Sequence, residues 1–220
     1  MIIDKTVKSL EESVYFTLED EIISGELKKG ETLTEISLSK RLGVSRTPLR
    51  GAMHRLAEEG LIETVPNRGA VVVGVSREDL VNIYKIRIRL EGLASAEAAE
   101  NITDAQLKAL RESVELAEFY LAKRDTEHLK ELDTEFHGVI YKATGNRHLE
   151  RILTELHRNI RGYRKLSLGV PSRLLCSVKE HRDILDAIEA KDSALAEQLT
   201  KSHIEAALSN LLDVINEPKS

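Results

Sequence analysis

The chain has 220 residues, 41% of them hydrophobic and 31% charged, with a formal net charge of −5; this fits an ordinary soluble protein of one large or two small domains, long enough to bury a core. No tryptophan and only eight Phe or Tyr are present, which argues against aromatic stacking on single-stranded nucleic acid as the main binding mode. A single cysteine, Cys176, an N-terminal run MIIDKTVKSLEE without a basic leader or apolar core, and no apolar run of membrane-span length together predict a reducing, cytoplasmic setting with no disulfide and no membrane contact.

In chain order, Val7, Leu10, Val14, Leu18 and Ile22 recur at helical spacing and stop near Gly25, so the first element is predicted to be a helix with an acidic outer face, packed behind the segment over 35–60. That segment, EISLSKRLGVSRTPLRGAMHRLAEEG, reads as two short helices around a tight turn. Ile36, Leu38 and Leu42 mark the first, and Gly43 ends it because a residue without a Cβ enters the left-handed region freely. Val44 plugs the corner, Ser45 is the predicted N-cap, and Pro48 falls in the first turn of the second helix, where no intrahelical donor is lost. Leu49, Met53 and Leu56 give that second helix an apolar face and leave Arg46, Thr47, Arg50 and His54 outward.

Between Ile36 and Ala57 stand Lys40, Arg41, Arg46, Arg50 and Arg55 and no carboxylate. The local sign matters more here than the net charge: residues 1–35 carry −5, residues 36–75 carry +3 and residues 76–220 carry −3. Spacing alone is equally compatible with a helical hairpin whose basic side is merely solvated. The β-branched runs Leu61–Val65 and Ala70–Val75, separated by Pro66, Asn67, Arg68 and Gly69, change that balance. They predict a hairpin with Arg68 at its tip, and a helix-turn-helix followed by such a wing reads base edges with the helix and reaches the backbone with the wing.

From Ser76 on, strand signals give way to six predicted helices, about 76–101, 103–123, 126–144, 147–168, 172–190 and 192–216. Capping-box or near-capping-box spacing at Ser76 and Thr103, capping residues Asp125 and Asp192, and breaks at Gly145 and Pro171 delimit them. Short linkers and the absence of a repeat period predict an antiparallel all-α bundle. The expected organisation is mainly α, with a winged helix-turn-helix DNA-binding domain over 1–75 followed directly by a helical domain over 76–220.

The run GVSRTPLRGAMHRLAEEGLIETVPNRGAVV, with GELKKGETLTE upstream, resembles the DNA-binding domain of GntR-family bacterial transcription regulators. One departure is Gly51, where that family usually has glutamate; glycine costs about 1 kcal/mol in a helix interior relative to alanine and removes whatever contact the glutamate makes.

In the helical part, Asp133 and His137 lie one turn apart on one face, while His181 and His203 sit at helical offsets from apolar residues. Three imidazoles and a carboxylate suit zinc first, and also nickel, iron or manganese, with positions left open for a ligand. The same residues also fit hydrogen-bonded core histidines, and His54, His128, His148 and His157 read as DNA-facing or surface residues. RIRLEGLASAEAAE, DTEFHGVIYKATGN, KEHRDILDAIEAKD and SHI resemble the FCD effector domain of the FadR-type branch, in its smaller, VanR-like form with six helices. That resemblance implies a divalent metal site at Asp133, His137, His181 and His203, a small organic acid as effector and a homodimer.

Arg87, in Arg-x-x-Leu-Glu, is suited to hold a carboxylate by two parallel hydrogen bonds; its plain alternative is a pair with Glu91 on a solvated face. Arg161 and Arg164 are further candidates for the same cavity. The expected function is a ligand-responsive regulator, in the first place a repressor, reading an inverted-repeat operator in double-stranded DNA, since one helix covers too few base pairs alone. A metal-dependent enzyme in a helical bundle is the alternative; it lacks the paired Glu-x-x-His elements and an obvious nucleophile with its base. A DNA-coating protein without a cavity is a third.

Overall fold

The computed structural model describes residues 9–216 apart from Asn67 and Val75, with the side chains of Lys165 and Asn216 also left aside. Val7 as the start of the first apolar stripe, Asn67 in the hairpin loop and Val75 at the domain junction therefore lie outside the described residues. The chain divides between Ser76 and Arg77 into two compact units.

The first unit holds α1 (Leu10–Ser24), β1 (Thr32–Leu33), α2 (Glu35–Leu42), α3 (Arg46–Glu58), β2 (Ile62–Val65) and β3 (Gly69–Val72). Ser9 caps α1 by accepting from the Glu12 amide at 3.2 Å, and Gly25 ends it at φ 79°. Thr34 caps α2 in the same way, and Gly43 takes φ 66° as its left-handed C-cap. Ser45 occupies the N-cap position of α3 with extended backbone, yet its side chain makes no capping bond. The predicted hydroxyl cap is thus absent, and that turn is held by Val44 NH on Ser39 C=O at 3.3 Å and Ser39 Oγ on Val44 C=O at 2.6 Å.

Tyr15 and Leu18 of α1, Leu38 of α2 and Leu49, Ala52, Met53 and Leu56 of α3 meet Leu33, Ile62, Ala70 and Val72 of the sheet in one apolar core. Each fully buried leucine contributes about 1.5–3 kcal/mol. Two residues of the predicted stripes are not in it: Leu10 is 55% exposed and Ile36 67%, each in the first turn of its helix. The sheet has three strands in the order β1-β3-β2, all antiparallel. The β2–β3 hairpin is the predicted wing, with Val65 opposite Gly69. Gly69 stands at φ 94°, where an added Cβ would strike the Leu33 carbonyl of the unpredicted strand β1.

The second unit is all helix: α4 (Arg77–Asn101), α5 (Asp104–Lys123), α6 (Thr126–Ala143), α7 (Arg147–Asn159), α8 (Arg161–Ser167), α9 (Pro171–Glu189) and α10 (Ser193–Asn216). Thr103 and Gln106 form the predicted capping box. Asp125 and Asp192 cap through the amides of His128 and Leu195 at 3.3 and 3.0 Å. The stretch read as one helix over 147–168 is two, broken at Ile160 (φ −110°, ψ 12°). Asn159 and Gly162, both weak helix formers, flank the break. Helix α4 packs against α6, α7, α9 and α10, around a core that includes Ala94, Ala98, Leu110, Phe136, Ile140, Leu153, Ile184 and Leu185. Among the described residues, no helix is long and apolar enough to cross a membrane.

Candidate functional site

On α3 the apolar stripe faces inward and Arg46, Thr47, Arg50 and His54 are all exposed. Burial of Leu49, Ala52, Met53 and Leu56 at 0–7% exposure fixes the helix rotation, so this outer face follows from the core. Arg50 grips Glu35 of α2 through Nε and Nη2, at 2.9 and 2.8 Å, and that hydrogen bonding holds the Glu35 carboxyl below its ordinary range. His54 Nδ1 lies 3.5 Å from Glu58, and Arg68 is exposed in the hairpin loop.

Two of the five basic residues counted between Ile36 and Ala57 are turned to their own unit. Arg41 is held by Glu21 at 2.8 and 2.7 Å, and the Arg55 guanidinium lies 3.9 Å over the Tyr15 ring. The exposed cationic face is narrower than the count suggests, because Glu21 of α1 holds Arg41 and Glu35, just before the interval counted, holds Arg50. At Gly51 the Glu11 carboxylate of α1 fills the space a Cβ would need. A glutamate there would press a second carboxylate on the first, which ties the departure at 51 to this chain's own α1.

In the helical unit, His137 of α6, His181 of α9 and His203 of α10 converge. Each is buried and offers a ring nitrogen, and these nitrogens lie within 4.8 Å of one another. Phe136 stacks on His181, centroids 3.9 Å apart and planes 13° from parallel, and fixes that ring. His137 Nδ1 lies 3.0 Å from Glu91, and His203 Nδ1 lies 2.6 Å from Glu180. The His181 Nε2 is buried with no hydrogen bond, 3.7 Å from Asp133 Oδ1. Burial pushes His181 well below the ordinary histidine range and lowers His203 as well, which favours the neutral imidazole, the form that donates a lone pair. The donor set therefore fits a divalent metal.

Asp133, the fourth predicted ligand, adjoins the cluster but bonds to Arg164 Nη2. Burial would raise its carboxyl, yet the Arg164 charge beside it holds it well below the carboxylate range. Arg87 pairs with Glu91 at 2.7 Å, side chains 2% and 1% exposed. The pairing alternative was right in partner and wrong in setting: this is core, not a solvated face. Glu91 is held well below its usual range because, against its burial, the charge of Arg87 prevails.

A cavity of about 20 Å³, room for about one water, is lined by Tyr84, Arg87, Asp133, His137, Arg164 and His203, with Arg173, Ser167 and Ser177 completing its polar wall. Arg87 and Arg164 are among its lining residues and Arg161 is not. Arg173, which sequence reading missed, takes its place and pairs with Glu180 at 2.8 and 2.7 Å. His157, read as DNA-facing or surface, is 7% exposed. It contacts Arg164 and lies with Nδ1 3.1 Å from the Tyr141 hydroxyl. The signal for both was weak: Arg173 opens α9 three residues before Cys176 with no motif around it, and His157 closes the i, i+4 series Leu149, Leu153, His157, whose two leucines are core.

Residues 10–72 match the family described as bacterial regulatory proteins, gntR family, and residues 82–206 match the FCD domain. The uncharacterized HTH-type transcriptional regulator YdhC of Bacillus subtilis is 31% identical over 207 residues, covering 93% of this chain and 92% of its own. The probable D-xylose utilization operon transcriptional repressor of Paenarthrobacter nicotinovorans is 32% identical over 189 residues, covering 86% and 82%. The solved structure of E. coli McbR/YncC superposes with a TM-score of 0.74 at 26% identity, covering 96% of this chain and all of that one. Helix-turn-helix, wing, histidine-bearing bundle and these matches agree: the chain belongs to the GntR family of bacterial transcription regulators, not to an enzyme family, and carries an FCD domain.

Proposed function

We propose that this regulator is a cytoplasmic homodimeric repressor whose 1–75 domain reads an inverted-repeat operator and whose 76–220 domain holds a divalent metal ion and a small organic acid. Operator contact falls to Arg46, Thr47, Arg50 and His54 on the outer face of α3 and to Arg68 in the wing. The Arg50–Glu35 pair is exposed and can be exchanged for a base or phosphate contact at little cost. Two copies follow from the short reading helix, which needs paired half-sites for specificity.

The observation that carries the ligand-responsive part is the set of three buried ring nitrogens, two from rings whose Nδ1 sits against a carboxylate. Such second partners orient histidine ligands and fix their tautomer, which would leave Nε2 of His137 and His203 toward the ion. His181 and Asp133 would complete the set, zinc being the first candidate and nickel, iron or manganese compatible. When bound, the ion supplies open positions for an anionic oxygen. Arg87, Arg164 and Arg173 would receive the rest of the acid, and Arg161 only from outside the cavity lining. The effector acts on transcription only through different affinities for the DNA-competent and DNA-incompetent states, a coupling of about 1–3 kcal/mol in most allosteric proteins.

Native mass spectrometry of the full chain, run beside operator binding with and without retained acid, tests this reading. A dimer with metal and an acid-dependent operator affinity is expected. A metal-free monomer, or an operator affinity that no bound acid changes, would contradict it.

A further inference from the structure

We infer that Glu11 of α1 belongs to the DNA-reading face and selects cytosine, its carboxylate accepting a hydrogen bond from the N4 amino group in the major groove. The inference rests on the reading of the operator by α3 proposed above and adds to it a specificity-determining residue from outside that helix.

The position follows from the packing of two helices. Gly51 stands four residues after Thr47 and three before His54, so the three share one face of α3, and both of those side chains are exposed. Leu49, Met53 and Leu56 turn to the core instead. Gly51 is therefore a notch within the outer face, and the Glu11 carboxylate fills the space its Cβ would need. On α1, Glu11 comes three, four and seven residues before Val14, Tyr15 and Leu18, which are buried in the core shared with α3. The Tyr15 hydroxyl bonds to Glu59 and the Arg55 guanidinium covers the Tyr15 ring, so α1 is fixed on α3 one turn beyond Glu11. A glycine inside a helix costs stability; here it lets a side chain of α1 reach the reading face.

The chemistry follows from what this carboxylate lacks. Glu11 is half-buried, and among the described residues its carboxylate has no hydrogen-bonding or ionic partner. Other carboxylates near this face are engaged: Glu35 holds Arg50, and Glu58 lies 3.5 Å from His54. A free carboxylate on a face that carries Arg46 and Arg50 repels phosphate, which weakens indiscriminate binding to any duplex, and favours a base edge that donates. In the major groove guanine offers N7 and O6 and thymine offers O4, all acceptors; adenine sets its N6 amino group beside the N7 acceptor, whereas cytosine presents its N4 amino group alone. A group that only accepts thus favours cytosine.

The test is selection by the full chain from a pool of random duplexes long enough for two half-sites, followed by sequencing, and repeated with Glu11→Ala and Glu11→Gln. The wild type should require cytosine at one position of each half-site, and Glu11→Ala should lose that requirement while the rest of the pattern stays. Glu11→Gln, whose amide donates as well as accepts, should admit adenine there. On the best wild-type duplex, exchanging that cytosine for thymine, with its partner base, should weaken wild-type binding about fivefold or more and leave Glu11→Ala binding unchanged. Melting temperatures of both variants should match the wild type. A changed pattern accompanied by lowered melting temperatures in both would assign Glu11 to holding α1 on α3 and overturn the inference. Identical patterns in all three chains, or an equal penalty for thymine in wild type and Glu11→Ala, would overturn it while leaving α3 as the reading helix. A wild-type chain that selects no sequence would overturn both.

Discussion

Arg50 with Glu35 and Arg87 with Glu91 are the same chemical pair in two settings. The first joins two helices of the DNA-binding unit and stays in water, its arginine side chain 71% exposed; the second lies inside the helical unit, at 2% and 1%. A solvated pair adds little to folding and dissolves readily when a phosphate competes. A buried pair is a poor source of net stability, but halving it leaves a charge with no partner. The DNA-binding unit thus keeps Arg46, Arg50 and Arg68 at its surface, and the helical unit fixes Arg87, Arg164 and Arg173 in the wall of the cavity beside the histidines.

The largest expected effect breaks the buried half of this comparison. Arg87→Met should cost about 3–5 kcal/mol by leaving Glu91 unpaired, and Arg87→Met combined with Glu91→Leu should recover much of that loss; urea unfolding measures both. If the double variant is no better than the single one, the pair is not what makes the position sensitive. Next in size is metal linkage. Zinc at a hundredfold excess over its dissociation constant should raise stability by about 2.7 kcal/mol, and chelator should reverse this, read as a shift of melting temperature. His203→Ala should show no such shift.

Acidification probes the same buried cluster without mutation. His181 and His157 have folded-state values below their unfolded ones, so the unfolded chain takes up protons first and stability falls as pH drops below about 6.5. Glu91 and Asp133 are likewise depressed; the stability they contribute is present above their unfolded values and is lost below about pH 4. Metal-free protein should therefore lose stability in two stages on acidification, and a profile flat from pH 7 to 4 would contradict the burial of these groups.

The exposed half gives the smallest effects. Arg46→Ala and Arg50→Ala should each weaken operator binding about tenfold and relax sequence preference, with folding unchanged. Arg68→Ala should weaken all sequences alike and reduce the salt slope by about one unit. Equal behaviour of all three variants in a salt titration would erase the distinction between reading helix and wing.

What sequence reading could reach was whatever local spacing encodes. Gly43, the Thr103–Gln106 box and the Asp133–His137 pair are each set within four residues, and the β2–β3 hairpin follows from its loop. The two-residue strand β1 is too short to show a period, and only its pairing with β3 makes it a strand. Arg173 and His157 join the cavity through contacts with Glu180, Arg164 and Tyr141 that no helical offset announces. Spacing put Arg87 beside Glu91 yet could not say whether water reached them, because burial depends on α6 and α10 arriving from later in the chain.

Elemental analysis of the full chain, purified without chelator and then offered zinc, beside His181→Ala treated identically, tests the central claim that the three histidines hold one ion. One zinc per wild-type chain and far less in the variant is the expected result. No bound zinc in the wild type, or equal zinc in both, would contradict the account.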